Sequence, residues 1–284
     1  MIEAPFAFET GAASDTGRVR NHNEDSYLTQ PDSGVWLVAD GMGGHQAGDF
    51  ASRTIAESIA SVGMPVSAPD LQARFMDRLA RAHATIQDQS RRLNGATVGA
   101  TLVALLTFDR HFACVWSGDS RIYLLRGGQF QQVTTDHNEV NELLRQGAIT
   151  AEQAATWPRR NVITRAIGVH DRPMTDEIAG ALAPGDTFLL CSDGLTEHVQ
   201  DHEMAETLTR LPPQAACDAL VQTTLERGAK DNVTVVVVRT HDRTARNWQA
   251  QANPAMATPV SPRQKTITPT ASRAGNRDEW HVDS

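Results

Sequence analysis

The chain has 284 residues, 40% of them hydrophobic, enough for one large α/β core and few for two domains of ordinary size. Asp and Glu number 34 against 26 Lys and Arg, a formal charge of −8, which argues against a nucleic-acid binder with its usual basic face. Three cysteines, Cys114, Cys191 and Cys217, are too few and too scattered for a disulfide framework or a zinc pattern.

The N-terminus MIEAPFAFETGAASD lacks the basic start and apolar core of a signal peptide. No apolar stretch approaches the roughly 20 residues that cross a bilayer, so a cytoplasmic protein is expected. Short strand-like runs come first: FAFETGAAS, SYLTQ and GVWLVAD. After the glycine cluster at 41–48 the period changes to a helical one. Leu71, Phe75, Leu79, Ala82 and Ile86 recur at spacings of three and four, and Gly63, Pro65 and Pro69 divide residues 51–93 into two predicted helices.

Strand character returns with GATLVALLTF, HFACVWSGD and SRIYLLRGGQF, with hairpin turns expected at Asp109-Arg110 and Gly127-Gly128. Residues 136–158 are polar and helix-prone, and NVITRAIG leads into a looser stretch. DTFLLCSD reads as a buried strand, followed by helices over 202–211 and 214–227. The β-branched run NVTVVVVRT closes the ordered part. Beyond about His241 apolar periodicity is lost, which predicts a folded domain over 1–241 and a disordered tail over 242–284. Hairpin connections dominate, favouring antiparallel sheets flanked by helices over a parallel sheet.

Carboxylates recur where apolar strands end. VWLVAD runs into Asp40-Gly41, ACVWSG into Asp119-Ser120 and TFLLCS into Asp193-Gly194, while Asp231 immediately precedes the last strand. One Asp-Gly after a strand is most often a turn. Three strand-end aspartates, with Asp231 and the Asn23-Glu24-Asp25 cluster, point instead to a site for hard cations, which take oxygen ligands. Arg20 lies near these groups: it can fork onto phosphate oxygens or form a surface salt bridge, and spacing alone leaves both open.

The ordered series GRVRNHNEDS, VADGMGGH, SGDSRIY, TTDHNEVNELLRQGAIT…NVITRAIG, CSDGL and KDNVTVVVV resembles bacterial members of the PP2C-type (PPM) phosphatase family over residues 8–240. The resemblance implies an α+β fold, a four-layer αββα sandwich of two antiparallel sheets. It implies a Mg²⁺- or Mn²⁺-dependent protein-serine/threonine phosphatase in which a metal-bridging hydroxide attacks phosphorus. Asp40 would bridge two ions, the Gly41 carbonyl would ligate one, and Asp193 and Asp231 would complete the first set. Glu24 and Asp25 would hold the second ion, and Asp119 would join Asp193 at a third, weaker position. Arg20 occupies the place of the family's phosphate-gripping arginine, and residues 138–160 that of its flap.

Eukaryotic relatives carry His directly after Asp-Gly. Met42 stands there in this chain, which leaves His45 as the candidate general acid or as a loop-stabilising group. Implied partners are phosphorylated Ser/Thr proteins and a cognate Ser/Thr kinase, in secretion or growth signalling, with the enzyme a monomer. The alternative is a catalytically weak regulatory module of the same fold. Cysteine-based phosphatases are excluded, because the Cys-x₅-Arg position holds Ser120, Glu197 or Thr223. A nucleotide P-loop is excluded by the lack of Gly-Lys-Ser/Thr after Gly41.

Overall fold

The computed structural model describes residues 5–43, 47–159 and 162–243. Eleven strands are described: β1 (Phe6–Asp15), β2 (Asp25–Gln30), β3 (Val35–Met42), β4 (Gly99–Ala100), β5 (Leu102–Phe108), β6 (His111–Ser117), β7 (Arg121–Arg126), β8 (Gln129–Gln132), β9 (Asp176–Ala181), β10 (Thr187–Cys191) and β11 (Val233–Asp242). The helices are α1 (Ala47–Ala60), α2 (Ala68–Arg92), α3 (Glu139–Arg145), α4 (Ala151–Ala155), α5 (Asp193–Thr196), α6 (Asp201–Arg210) and α7 (Pro213–Glu226).

Two antiparallel sheets form, one in the order β1-β11-β10-β7-β8 and the other β2-β3-β5-β6-β9, with β4 added to the end of β3. Strand alternation explains why they stack. Val35, Leu37 and Ala39 of β3 face one cluster with Ile55, Ile59, Phe75, Leu79 and Ile86 of α1 and α2. The intervening Trp36 and Val38 face a second cluster with Phe188, Leu190, Val236 and Val238 from the other sheet. Val233, Val235 and Val237 point the opposite way, onto Met204, Leu208, Cys217 and Leu220 of α6 and α7. The β-branched run of β11 is therefore buried on both faces, and the layers are helix, sheet, sheet, helix.

Helix α2 follows from its sequence. Ser67 caps it by accepting the Asp70 N–H at 3.2 Å, Pro69 occupies its first turn, and Leu71, Phe75, Leu79, Ala82 and Ile86 form the buried stripe. Gly63, at φ +70, ends the run after α1. The expected hairpins are present, with Asp109 at φ 53 and the Gly127-Gly128 pair at φ 57 and 81. Two features differ from expectation. Strand β3 continues through Asp40 to Met42, because β4 pairs with Gly41 and Met42. Strand β9 fills part of the stretch read as loose and pairs with β6 at the sheet edge. Residues 244–284, which hold nearly all of the expected tail, lie outside the described residues. Among the described residues no helix is long and apolar enough to cross a membrane.

Candidate metal centre

The carboxylates gather at one end of the sandwich because antiparallel pairing brings strand starts beside strand ends. Asp25, the first residue of β2, is paired in register with Asp40 near the end of β3. Like charges directly opposite on a sheet destabilise it. The sheets meet here through Ser192, whose hydroxyl donates to Asp25 Oδ2 at 2.8 Å and accepts the Thr234 N–H at 3.0 Å. Asp193 follows at the start of α5, Asp119 follows β6, and Asp231 lies two residues before β11.

Two close backbone approaches fix this geometry. A Cβ at Gly41 would meet the Gly48 carbonyl oxygen at 2.2 Å and the Glu24 carbonyl oxygen at 2.7 Å, so only glycine lets α1 and the Glu24 segment close on β3. A Cβ at Gly194 would lie 1.9 Å from the Asn232 carbonyl oxygen, so glycine also lets the Asp193 turn approach the Asp231 segment.

Asn232 organises the segment before β2. Its Nδ2 donates to the Thr16 and His22 carbonyls, each at 2.9 Å, and its Oδ1 accepts the Glu24 N–H at 2.8 Å. Gly41 N–H donates to the Glu24 carbonyl at 3.1 Å, tying that segment to β3. Thr101 Oγ1 accepts the Asp40 N–H at 3.0 Å and lies 2.7 Å from Ser120 Oγ. Ser192, Asn232 and Thr101 escaped sequence reasoning. The sole available signal was that Ser192 and Asn232 each adjoin an aspartate.

The electrostatics are unfavourable for carboxylates alone. Burial, opposed by Thr234 and Ser192 and reinforced by the charges of Asp193 and Asp231, leaves the Asp25 carboxyl pushed up to about 7. Burial followed by Asp193 and Asp136 raises Asp119 to about 7, and burial followed by Asp231 raises Asp193 to about 6. Asp40 is driven well above the usual range by burial and by Asp25, Asp193, Asp119 and Asp231. Glu24 is raised, mainly by burial. Asp25 Oδ1 and Asp193 Oδ1 are buried without a hydrogen-bond partner.

Among the described residues no three Asp, Glu, His or Cys side chains are drawn into a closed coordination shell. Asp231 Oδ2 is engaged by Arg20 Nη2 at 2.7 Å. The donor set nonetheless fits hard divalent cations: it is all oxygen, its charges repel one another, and two buried carboxylate oxygens lack partners. Asp25, Asp40, Asp119, Asp193 and Asp231 act on one another electrostatically, and Glu24 adjoins Asp25. Arg20 is half exposed and reaches Asp231, so it borders the group. His45 lies outside the described residues.

Beside Asp119 and Asp193 opens a cleft of about 1030 Å³, lined also by Arg121, Asn138, Glu197 and Lys230. One wall belongs to the segment bearing α3 and α4, whose two ends are joined by the bridge between Asn138 and Ile163.

Comparison with known proteins agrees with this architecture. The family model described as Protein phosphatase 2C matches residues 17–238. The serine/threonine phosphatase stp of Listeria monocytogenes is 35% identical over 236 residues, 79% of this chain and 93% of that protein. Among solved structures, PppA of Pseudomonas aeruginosa, described as a key regulatory component of T6SS, is 40% identical with a TM-score of 0.75 and covers 82% of this chain and 97% of its own. The catalytic domain of the serine/threonine protein phosphatase PstP, solved with 2 manganese ions, is 34% identical with a TM-score of 0.74, covering 84% of this chain and 100% of its own. The sandwich, the ordered motifs and a match across most of the chain agree, and the chain belongs to the protein phosphatase 2C family.

Proposed function

We propose that this protein hydrolyses phosphoserine and phosphothreonine in proteins, using Mn²⁺ or Mg²⁺ held by Glu24, Asp25, Asp40, the Gly41 carbonyl, Asp193 and Asp231, with Asp119 and Asp193 at a weaker third position. The observation that carries this reading is the cross-strand Asp25–Asp40 pair with the neighbouring Asp193, whose charges have too few partners in the protein. Divalent ions bound there would lower the pKa of a shared water and offset the negative charge of the phosphoryl oxygens.

The chain's own groups do the rest. Arg20 exchanges Asp231 for the phosphate, an easy trade because an exposed ion pair is worth only about 0–1 kcal/mol. Its fork then orients the phosphoryl group and stabilises its equatorial oxygens. Asn232 keeps Glu24 fixed while Arg20 moves. The cleft beside Asp119 takes the polypeptide flanking the phosphoresidue. His45 is our candidate donor of a proton to the departing Ser or Thr oxygen.

We read residues 1–241 as the phosphatase domain and 242–284 as a tail, in a cytoplasmic monomer. The similarity to PppA, described as a key regulatory component of T6SS, supports a place in control of a secretion apparatus, and we read its counterpart as a Ser/Thr kinase. Asp40→Asn and Asp193→Ala test the assignment. Each is expected to abolish phosphate release with an unchanged circular dichroism spectrum, and full turnover in either would sink it.

A further inference from the structure

Behind Asp119 lies a hydrogen-bonded cluster that the reaction outlined above does not use. His137 is 6% exposed and stacks on Trp116 with ring centroids 6.0 Å apart. It grips one residue at two points. The His137 backbone N–H donates to the Gly118 carbonyl at 2.8 Å, and the Gly118 N–H donates to His137 Nδ1 at 3.2 Å. A ring nitrogen that accepts carries no proton, so the neutral imidazole bears its hydrogen on Nε2. That nitrogen is 3.1 Å from Asp176 Oδ2 and 3.3 Å from Arg165 Nη1; carrying the proton, it donates to the carboxylate, and Arg165 Nη1 donates to Asp176 Oδ1 at 2.8 Å.

The His137 carbonyl accepts the Thr164 N–H at 2.8 Å, beside the bridge from Asn138 to Ile163. His137 thus joins three pieces of chain: the turn before Asp119, the start of the segment bearing α3 and α4, and the return of that segment. On the other side of Asp119, Ser120 contacts Thr101, which accepts the Asp40 N–H. Asp119 is therefore suspended between a clamp on Gly118 and a clamp on Ser120.

We propose that His137 is a positioning residue for Asp119, coupling the base of the 138–163 segment to cation binding at that carboxylate. The proposal rests on the reading of Asp119 as a cation ligand. Losing the Nδ1 acceptor would leave the Gly118 N–H buried and unpaired, freeing the turn to rotate and carrying Asp119 out of alignment. Groups that orient a ligand in this way change metal affinity by roughly 10–100-fold when removed.

Two substitutions separate the ring's two nitrogens. In His137→Asn the amide oxygen falls near the Nδ1 position and still accepts from Gly118. In His137→Gln the longer side chain reaches towards Asp176, and the acceptor for Gly118 is lost. Mn²⁺ titration of the full chain, followed by electron paramagnetic resonance of the free ion, reads each binding step without turnover. The Gln variant is expected to weaken the weakest step by about tenfold or more, with tighter steps unchanged within about twofold. The Asn variant should stay within about threefold of the parent on every step.

Equal weakening of every step in both variants, with matching losses of melting temperature in EDTA, would give the ring a structural role alone and overturn the proposal. A Gln variant that binds like the parent would overturn it while leaving the metal centre intact. A parent chain that binds no Mn²⁺ would overturn both.

Discussion

Replacing Asp25 with Asn should make the metal-free protein more stable while spoiling its response to metal. Asp25 is 9% exposed, faces Asp40 across the β2–β3 pair, and has one oxygen without a partner. Its carboxyl is raised from 3.8 to about 7, and each tenfold in proton affinity is worth about 1.4 kcal/mol. The ionised group therefore holds back the metal-free fold by about 4 kcal/mol. Asp40 and Asp193 share that repulsion, and the new amide sets two N–H donors where Asp25 Oδ1 had no partner, so the single change recovers on the order of 2 kcal/mol.

The sign follows from proton binding. With the folded-state value raised, the folded chain holds more protons than the unfolded one between about pH 4 and 7. Parent stability falls as pH rises through that window, and the full penalty stands above it. Thermal melts in EDTA should put Asp25→Asn about 4–8 °C above the parent at pH 8, with the gap less than half as large at pH 5. Adding Mn²⁺ at pH 8 should raise the parent's melting temperature and raise the variant's much less. A gap of equal size at both pH values, or a variant less stable than the parent at pH 8, would refute the reasoning.

Arg20→Ala should lower kcat/KM on a phosphothreonine peptide by about 10–100-fold, with Arg20→Lys recovering only part because an ammonium cannot fork. Unchanged steady-state kinetics would remove Arg20 from the site. Asn232→Ala loses two bonds to carbonyls and leaves the Glu24 N–H unpaired, so denaturant unfolding should show a loss of about 2–4 kcal/mol. An Asn232→Ala variant as stable as the parent would contradict its role as organiser.

The strands, the long helices and the strand-end aspartates were legible because each leaves a period or a punctuation mark, whereas the pairing into two stacked sheets came from the family resemblance. Helix α1 starts at Ala47 inside the glycine cluster, and the four-residue α5 is too short to show a period. The five apolar positions predicted for α2 are its buried stripe, less only His83, a polar residue that joins them. Strand β9 was hidden for a physical reason. Its residues DEIAGA lie at a sheet edge, mostly exposed, and an edge strand with little to bury needs no apolar alternation. The extension of β3 past Asp40 was hidden because its partner β4 lies nearly 60 residues away in sequence. Polar organisers such as Asn232, Thr101 and His137 follow no period, and their partners become visible only when the chain is folded.

The central claim is metal-dependent hydrolysis of a protein phosphate, and the direct measurement is phosphate release from a phosphothreonine peptide, with Mn²⁺ added and then removed by EDTA. Release that appears with Mn²⁺ and vanishes with EDTA is the predicted result. No release at any Mn²⁺ concentration, from protein with a cooperative melt, would contradict the account and favour a regulatory module of the same fold.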